Sequence, residues 1–474
     1  VEVEQAIYRR LRSFPVTDFE RKVWALDARI NERGVRIDTG LVAAAIAQNE
    51  AFTTKHMAEM RRLTGLENPN SVAQLKDWLE TAGMSADSLN KAAVLELKDK
   101  AADPTTRRVL ELRQQLGKTS VTKYEAMQSA VCADGRVRGL LQYYGAGRTG
   151  RWAGRLVQVQ NLPQNHLAGL DLVRELVRER DLETLELCFD SVPDVLSQLI
   201  RTAFVAGEGN IFHVADYSAI EARVIAYLAG EKWRMDVFRS GGDIYCSSAS
   251  AMFRVPVVKH GVNGHLRQKG KIAELACGYG GGVGALRAFG ADKMGLTEEE
   301  MQDIVTQWRA ASPAIPRFWR DAESAAVRAI NNPGRTTTVP CGVKYRRDGD
   351  ALRCRLPSGR ILSYWGAKLD TDGSICFMGQ NQTTRRWEKT GTWGGKLVEN
   401  IVQAYARDCL AVAMVRLAEE GWKICFHVHD EVIVEAPIGT SWEQVAEVMG
   451  RPIDWAPGLL LRGDGYSTPF YRKD

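Results

Sequence analysis

The chain has 474 residues, a net charge of +5 and a composition that is 45% hydrophobic and 26% charged. This length predicts two to four lobes, and no apolar run is long enough to cross a bilayer, which argues against a membrane protein. Nine scattered cysteines form no CxxC pair, which disfavours a zinc site or a disulfide framework and predicts a reducing cytoplasm. The mild basicity suits a polyanionic partner without establishing one.

Helical patterns dominate the first 130 residues. Residues 1–36 are predicted to be helical up to a turn at Gly34, which leads into a short apolar segment at 35–37. From 38 to about 127, apolar residues again recur three or four apart, and Ser71 is placed to cap a helix. The many Lys and Arg residues on these helices are more simply a solvated face than a DNA-binding one.

The segment 139–163 changes character, because glycines alternate with arginines and amides. Two interpretations stay open with equal weight. Such a segment allows close backbone approach with phosphate or base contacts, or it is simply a flexible loop.

A strand is predicted at 211–215, followed by Asp216 and a helix that ends at Gly230. A carboxylate at the end of a strand suits a hard cation such as Mg²⁺, although such an aspartate is more often a helix cap. Ser218 offers an alternative cap, which weakens the second interpretation.

The residue pattern predicts helices from 231 to 332. The end of the chain is predicted to combine short strands with one helix at about 396–420. An apolar hairpin at 424–435 places His429, Asp430 and Glu431 at its tight turn. Turns favour acidic residues, but two adjacent acids between buried strands are costly without a cation. A pair of metal ions shared with Asp216 would offset that cost.

Four residues of the helical segment 267–280 stand four apart: Arg267, Lys271, Leu275 and Tyr279. They form one slanted stripe on a helix, in the order cation, cation, apolar side chain, aromatic ring. That order matches triphosphate, sugar and base along a nucleotide. An amphipathic helix with a basic end is the alternative.

Together, these segments resemble a known family. Residues 216–223, 267–280 and 429–431 are similar, in this order, to the three polymerase motifs of family A DNA polymerases. Residues 149–151 with 160–163, and 32–38, resemble two further family segments. The sequence of residues 394–403 resembles the corresponding segment of phage-encoded members of the family.

The resemblance implies a catalytic site for DNA synthesis with two Mg²⁺ ions. Asp216 and Asp430 would hold the metals with help from the backbone carbonyl of Tyr217, and Glu431 would belong to the same catalytic group. Lys271 would bind the triphosphate and act as general acid to pyrophosphate.

The resemblance also implies the nucleotide contacts. Arg267 would bind the triphosphate together with Lys271, and Tyr279 would lie beside the templating position. Glu221 would be a steric gate against a ribose 2′-hydroxyl, and Leu275 would face the sugar.

DNA contacts are implied for a further group of residues, which comprises Arg151, Asn161, Gln403 and His429. Arg151 and Gln403 would contact the minor groove near the primer end, where every base pair offers similar acceptors.

Three positions depart from the common family pattern. Leu275 stands where Phe or Tyr is usual, a position tied to discrimination at the sugar 3′ position. Tyr245 replaces a usual His and Ala219 a usual Gln, both near the triphosphate. We expect function to be retained with altered contacts at these positions.

The implied fold is α+β, a right hand with an antiparallel palm sheet and helical fingers and thumb. The implied division is 1–18 as the end of an upstream exonuclease domain or its linker, 19–40 as the start of the palm, 41–130 as thumb, 131–230 as palm with the first carboxylate motif, 231–332 as fingers and 333–474 as palm with the second carboxylate motif.

The expected partners are primer-template DNA and deoxynucleoside triphosphates, with no membrane and a monomeric state, in the cytoplasm of a bacterial or phage-infected cell. Residues 1–7 resemble the helix that follows the last metal-binding aspartate of a proofreading exonuclease. We therefore expect the chain to begin just after such a domain and to lack proofreading.

Three rival functions are separable. A single-subunit phage-type RNA polymerase shares the two aspartates, but Glu221 and Glu431 favour deoxynucleotides. A non-catalytic nucleic-acid-binding scaffold would keep salt-sensitive binding after loss of both aspartates. A nucleotide hydrolase is disfavoured because the sequence has no GxxxxGK[ST] loop.

Overall fold

The structure is a computed structural model and describes residues 1–12, 16–119, 121–381 and 384–473. Residues 13–15 of the predicted 1–18 segment therefore lie outside the described residues. Helices and antiparallel sheets occur together, which confirms the α+β class. In the described residues, none of the helices combines the length and apolar character needed to cross a bilayer.

The first part of the chain is helical, as its periodicity predicts. Ser71 accepts a hydrogen bond from the Gln74 amide at the start of the helix Val72–Thr81, which confirms the predicted cap. The elements are α1 (Glu2–Leu11), α2 (Asp18–Arg33), β1 (Val35–Ile37), α3 (Thr39–Thr64), α4 (Val72–Thr81), α5 (Lys91–Lys100), α6 (Pro104–Leu116) and α7 (Thr122–Ala130).

The glycine- and arginine-rich segment forms a β-hairpin rather than a flexible loop. Its two strands pair from Leu141↔Gly154 to Ala146↔Arg151. Helices that the sequence reasoning did not place follow the hairpin. The elements are β2 (Arg136–Val137), β3 (Leu141–Ala146), β4 (Arg151–Gly154), α8 (Leu170–Arg178), α9 (Leu182–Cys188), α10 (Val192–Leu199), β5 (Phe204–Val205) and β6 (Asn210–Tyr217).

The predicted helical segment 231–332 is helical in the structure. Gly230 ends the preceding helix in the left-handed conformation, with φ +69°, as predicted. The elements are α11 (Ile220–Ala229), α12 (Lys232–Arg239), α13 (Ile244–Phe253), α14 (Leu266–Cys277), α15 (Val283–Ala288), α16 (Glu298–Ala311) and α17 (Ala314–Asn331).

The last part of the chain holds two sheets. The prediction of a single helix in this part is wrong, because a second helix, capped by Ser441, follows the hairpin. The elements are β7 (Thr336–Thr338), β8 (Lys344–Asp348), β9 (Ala351–Arg355), β10 (Ile361–Leu369), β11 (Ile375–Gln380), β12 (Trp387–Thr392), α18 (Gly394–Glu419), β13 (Lys423–Val428), β14 (Glu431–Pro437), α19 (Trp442–Gly450) and β15 (Gly463–Thr468).

A four-stranded antiparallel sheet with the order β13-β14-β6-β15 carries both predicted aspartates. The long helix α18 packs against α17, α11 and β13, and most of its side chains are buried. The sheet therefore presents the ends of β6 and β14 on a rigid, well-packed support.

Strands β7 to β12 form a separate six-stranded antiparallel meander. The predicted division assigns these residues to the palm, but in the structure they pair only among themselves within the described residues. One face of this meander packs against α17, where Thr337 Oγ1 donates a 2.7 Å hydrogen bond to the carbonyl of Ala325.

Candidate active site

The strand register brings the two carboxylate motifs together. Asp216, near the end of β6, lies directly opposite Glu431, the first residue of β14. Asp430 precedes Glu431 in the hairpin turn, and its carbonyl accepts a 3.3 Å hydrogen bond from the Tyr217 amide. Two segments more than 200 residues apart in sequence therefore meet at one end of the sheet.

Unusual backbone conformations flank both aspartates. His429, just before Asp430, has φ +57°, and Ala219, at the start of α11, has φ +51°. Positive φ costs a non-glycine residue energy, and such residues cluster at functional sites. The predicted Ser218 cap is absent, because Ala219 is the N-cap and makes no side-chain capping bond.

Burial and mutual repulsion disfavour the charged form of these carboxyls. Burial, followed by the negative charges of Asp430 and Glu431, raises the pKa of Asp216 to about 8. Burial likewise raises the pKa of Asp430 and of Glu431. A nearby cation would reverse this effect and favour the charged carboxylates.

The donor atoms fit a hard cation. Asp216 Oδ1 is buried and has no hydrogen-bond partner within the part of the chain that the structure describes. No group of three or more His, Cys, Asp or Glu residues that could hold a metal occurs there. Two carboxylates alone leave most coordination positions for water and phosphate, which is the way Mg²⁺ is held in phosphoryl-transfer enzymes.

Glu431 has a different environment from the two aspartates. It is buried and accepts a 2.7 Å hydrogen bond from the Tyr471 hydroxyl, which in turn accepts one of 2.7 Å from Arg201. The positive charge of Lys473 also acts on Asp216, Asp430 and Glu431. The sequence reasoning missed these three partners, since nothing local links 201 or 471–473 to the motifs.

Three residues of the predicted stripe, Arg267, Lys271 and Leu275, lie on α14, whereas Tyr279 lies in the turn that follows it. Arg267 Nε is 2.8 Å from Asp243 Oδ2, and its guanidinium carbon lies 5.2 Å from the centre of the Tyr245 ring. Lys271 is half-buried, and no hydrogen bond or ion pair of its ammonium group is recorded among the described residues. Leu275 is 44% exposed.

A buried carboxylate also anchors α14. Glu274 forms a two-fold contact with Arg234, at 2.6 and 2.8 Å, and accepts hydrogen bonds from Ser248 and Trp308. Arg234 is fully buried. The network fixes the rotation of α14 within helices α12–α17, which we call the helical lobe. Leu275 is therefore exposed and Lys271 half-buried.

Tyr279, Glu221 and Arg151 form a connected group. The Tyr279 hydroxyl donates a 2.6 Å hydrogen bond to Glu221 Oε2, and Arg151 Nη2 donates to Glu221 Oε1. The group links the turn after α14 to the first turn of α11 and to the start of β4.

The four predicted DNA contacts fall into two groups in the structure. His429 and Arg151 line a pocket with Asp430, together with Gln160, the neighbour of Asn161. Asn161 is exposed in a short 3-10 turn, and Gln403 lies on α18, bonded to Glu399. The structure therefore brings Arg151 and His429 together, while Asn161 and Gln403 are placed on neighbouring elements.

A close contact connects the end of the six-stranded sheet to this region. The Trp393 ring lies against Gly280 and Gly395, and a Cβ at either glycine would be about 2.4 Å or less from the ring. Gly280 directly follows Tyr279 and has φ +80°. Glycine is required here by both conformation and space.

Comparison with known proteins gives a consistent picture. The family model described as DNA polymerase family A matches residues 42–339. A DNA polymerase of Bacillus phage SP02 is 51% identical over 100% of this chain and 74% of its own length.

More distant relatives and a solved structure agree. The thermostable DNA polymerase I of Thermus aquaticus is 26% identical over 89% of this chain, which spans only 43% of that enzyme. The polymerase domain of Pol1 from M. smegmatis, solved in complex with DNA primer-template and dNTP, superposes with a TM-score of 0.63 at 20% identity. It covers 99% of this chain and 72% of that chain, so the right-hand fold is confirmed.

Proposed function

This chain belongs to DNA polymerase family A, and from that membership we infer that it is a DNA-directed DNA polymerase. It copies a DNA template by adding deoxynucleotides to a primer 3′ hydroxyl, with release of pyrophosphate. The roles of individual residues, argued next, are part of the same proposal.

One observation carries the assignment of the reaction centre. Asp216 has a buried carboxylate oxygen without a hydrogen-bond partner in the described residues, directly beside Asp430. Such an oxygen is costly to bury unless a cation accompanies it. Asp216 and Asp430 would hold two Mg²⁺ ions, with the Tyr217 carbonyl as an additional ligand.

When bound, the two ions supply activation of the primer hydroxyl and neutralisation of charge on the leaving phosphates. Glu431 acts as a positioning residue, because its bond to Tyr471 holds the turn that carries Asp430. Strands β6 and β14 fix the separation of the two aspartates, and fixed geometry is the main contribution a protein makes to phosphoryl transfer.

Arg267 and Lys271 bind the triphosphate in this proposal. The Lys271 ammonium group has no hydrogen-bond or ion-pair partner among the residues that the structure describes, so it is available to contact phosphate. In this proposal it protonates the departing pyrophosphate. Arg267 must exchange Asp243 for phosphate oxygens, which makes Asp243 a competitor of the incoming nucleotide.

The last residues of the stripe, together with Glu221, contact the sugar and the base of the nucleotide. Glu221, held by Tyr279 and Arg151, occupies the space that a ribose 2′-hydroxyl needs. Leu275 lies near the sugar, and Tyr279 lies beside the templating position. Tyr245, in contact with Arg267, takes the place of a family histidine near the triphosphate.

Arg151, His429, Gln403 and Asn161 contact the DNA near the primer end. Their donor groups suit minor-groove acceptors, which are similar for every base pair and so report geometry rather than sequence.

In the same proposal, residues 41–130 serve as thumb and 231–332 as fingers. The protein acts as a monomer in the cytoplasm of a bacterial or phage-infected cell.

Primer extension with Mg²⁺ tests the proposal. The unaltered chain should extend a primer with deoxynucleotides far better than with ribonucleotides, which also separates it from an RNA polymerase. Asp216→Asn and Asp430→Asn should each abolish extension, by about 1,000-fold or more, while retaining DNA binding.

Asp464→Asn is a matched control, because Asp464 lies directly opposite Asp216 on β15 of the same sheet and is exposed. It should retain extension. Equal loss in all three variants, or extension that survives in Asp216→Asn, would contradict the assignment of the reaction centre.

A further inference from the structure

The six-stranded sheet has one face that is exposed and rich in cations and tryptophans. We call the set Lys344, Arg346, Arg353, Arg355, Trp365 and Trp387 the outer face. The opposite face carries buried side chains such as Tyr345, Cys354 and Tyr364 and packs against α17. Alternation along antiparallel strands separates the two sets.

Cations on the outer face lie directly opposite one another. Lys344 pairs with Arg355 and Arg346 pairs with Arg353 across neighbouring strands. Like charges in this position destabilise a sheet. Asp348 contacts Arg346 at 2.6 Å and Arg353 at 3.8 Å, whereas no ion pair of Lys344 or Arg355 is recorded within the described residues. Four cations with one carboxylate favour a polyanionic partner.

Two exposed rings accompany these charges. Trp365 is 44% exposed and Trp387 is 62% exposed. Across neighbouring strands, Trp365 lies opposite Met378, and Met378 lies opposite Lys389. Trp387 is two residues from Lys389 on β12, so both tryptophans lie on the same face of the sheet. Exposed aromatic rings beside cations form the surface on which unpaired bases stack while their phosphates are neutralised.

The edge strand of the six-stranded sheet leads towards the nucleotide site. Strand β12 leads through Trp393 into α18, and the Trp393 ring lies against Gly280, next to Tyr279. The proposed function places the templating base beside Tyr279. A template strand that approaches this position is therefore within reach of the sheet.

We propose that the outer face binds the unpaired template strand ahead of the insertion site. The inference rests on the proposed polymerase function, because it uses the position of the templating base. A duplex is disfavoured as occupant, since its base faces are stacked internally and offer nothing to Trp365 and Trp387. The outer face strengthens binding of the template and takes no part in nucleotidyl transfer.

The test compares two primer-templates that share one duplex and differ in the 5′ template overhang, which is either one nucleotide or about 12 nucleotides of thymidine. Affinities are measured by fluorescence anisotropy over a range of salt concentrations. Lys344→Ala/Arg355→Ala and Trp365→Ala/Trp387→Ala should each weaken binding of the long overhang by about tenfold. Binding of the short overhang should stay unchanged.

The charge variant should also reduce the slope of log affinity against log salt by about 1.4, for two lost single-strand phosphate contacts. Arg21→Ala/Arg29→Ala is the control, because both arginines are exposed on α2 and neither forms an ion pair with any residue that the structure describes. It removes the same charge and should bind both substrates like the parent.

Each other outcome overturns the inference. Equal weakening for both overhangs would assign the face to the duplex or to folding. No weakening at all would leave the face to a protein partner. Single-nucleotide extension on the short overhang, measured in parallel, shows whether the polymerase function itself holds.

Discussion

The Tyr279 hydroxyl donates a 2.6 Å hydrogen bond to Glu221, and this bond joins the segment after α14 to the first turn of α11. Arg151 donates to the other carboxylate oxygen. Glu221 is thereby fixed at both oxygens, and burial raises the pKa of the Tyr279 hydroxyl, so it remains a donor at neutral pH. A carboxylate held in this way is a rigid boundary rather than a mobile surface group.

This boundary predicts the sugar selectivity. Glu221→Ala should raise ribonucleotide incorporation relative to deoxynucleotide incorporation by about 10- to 100-fold, because the space for a 2′-hydroxyl opens. Single-nucleotide incorporation kinetics with matched ribo- and deoxynucleotides measure the ratio.

Tyr279→Phe serves as the matched comparison, since it removes the hydrogen bond and leaves the carboxylate and its bond to Arg151. It should give a smaller gain than Glu221→Ala. An equal gain would show that the bond, and not the bulk of Glu221, excludes the ribose.

The exposed Leu275 predicts a second feature of sugar recognition. Leu275→Tyr should raise the incorporation of dideoxynucleotides by about tenfold or more, because a hydroxyl there replaces the missing contact at the sugar 3′ position. Competition between dideoxy- and deoxynucleotides in primer extension measures it. Leu275→Phe adds the ring without the hydroxyl and should stay near the parent, and an unchanged Leu275→Tyr would refute the assignment.

The sequence predicted the elements whose signals are local. Strand β6, helix α11 and the β13–β14 hairpin follow from apolar alternation, helical spacing and Gly230. Helix α19 was missed although Ser441 supplies a cap, because the preceding strands suggested more strand. The separate six-stranded sheet was not predictable, since short alternating segments do not state which neighbours they pair with.

The candidate site also contains both residues that local sequence signals predicted and residues that they did not. The two carboxylates and the α14 stripe were found because each lies in a recognisable segment. The Glu274–Arg234 pair, Tyr471 and Lys473 were missed, because their contacts join residues 40 or more positions apart. A buried arginine also contradicts the usual expectation that charged residues are solvated, and only tertiary structure explains it.

The Glu274–Arg234 pair predicts the stability of the helical lobe. Arg234→Met should destabilise it by about 3–5 kcal/mol, because Glu274 would remain buried without its partner. Hydrogen exchange of the α14 amides measures the local loss. Arg239→Met is the control on the same helix, where an exposed pair with Asp236 should contribute no more than about 1 kcal/mol. Similar losses in both variants would contradict the role of burial.

The buried carboxyl group of Asp27 should make the free energy of unfolding depend on pH. It lies buried on α2 and accepts a 2.9 Å hydrogen bond from Trp152 Nε1. Burial raises its pKa to about 6, and the hydrogen bonds from Trp152 and Asn31 and the charge of Arg407 oppose burial without overcoming it. The folded state therefore binds a proton at a pH where the unfolded chain, near 3.8, has released it.

Because the folded state binds more protons between these two values, the free energy of unfolding should fall as pH rises from about 4 to about 6. The fall attributable to Asp27 is on the order of 3 kcal/mol and should be complete above that range. Urea denaturation of the parent and of Asp27→Asn across this range isolates it, since the amide cannot titrate. The difference between the two curves should change with pH below about 6 and stay constant above it; parallel curves throughout would show that Asp27 titrates normally.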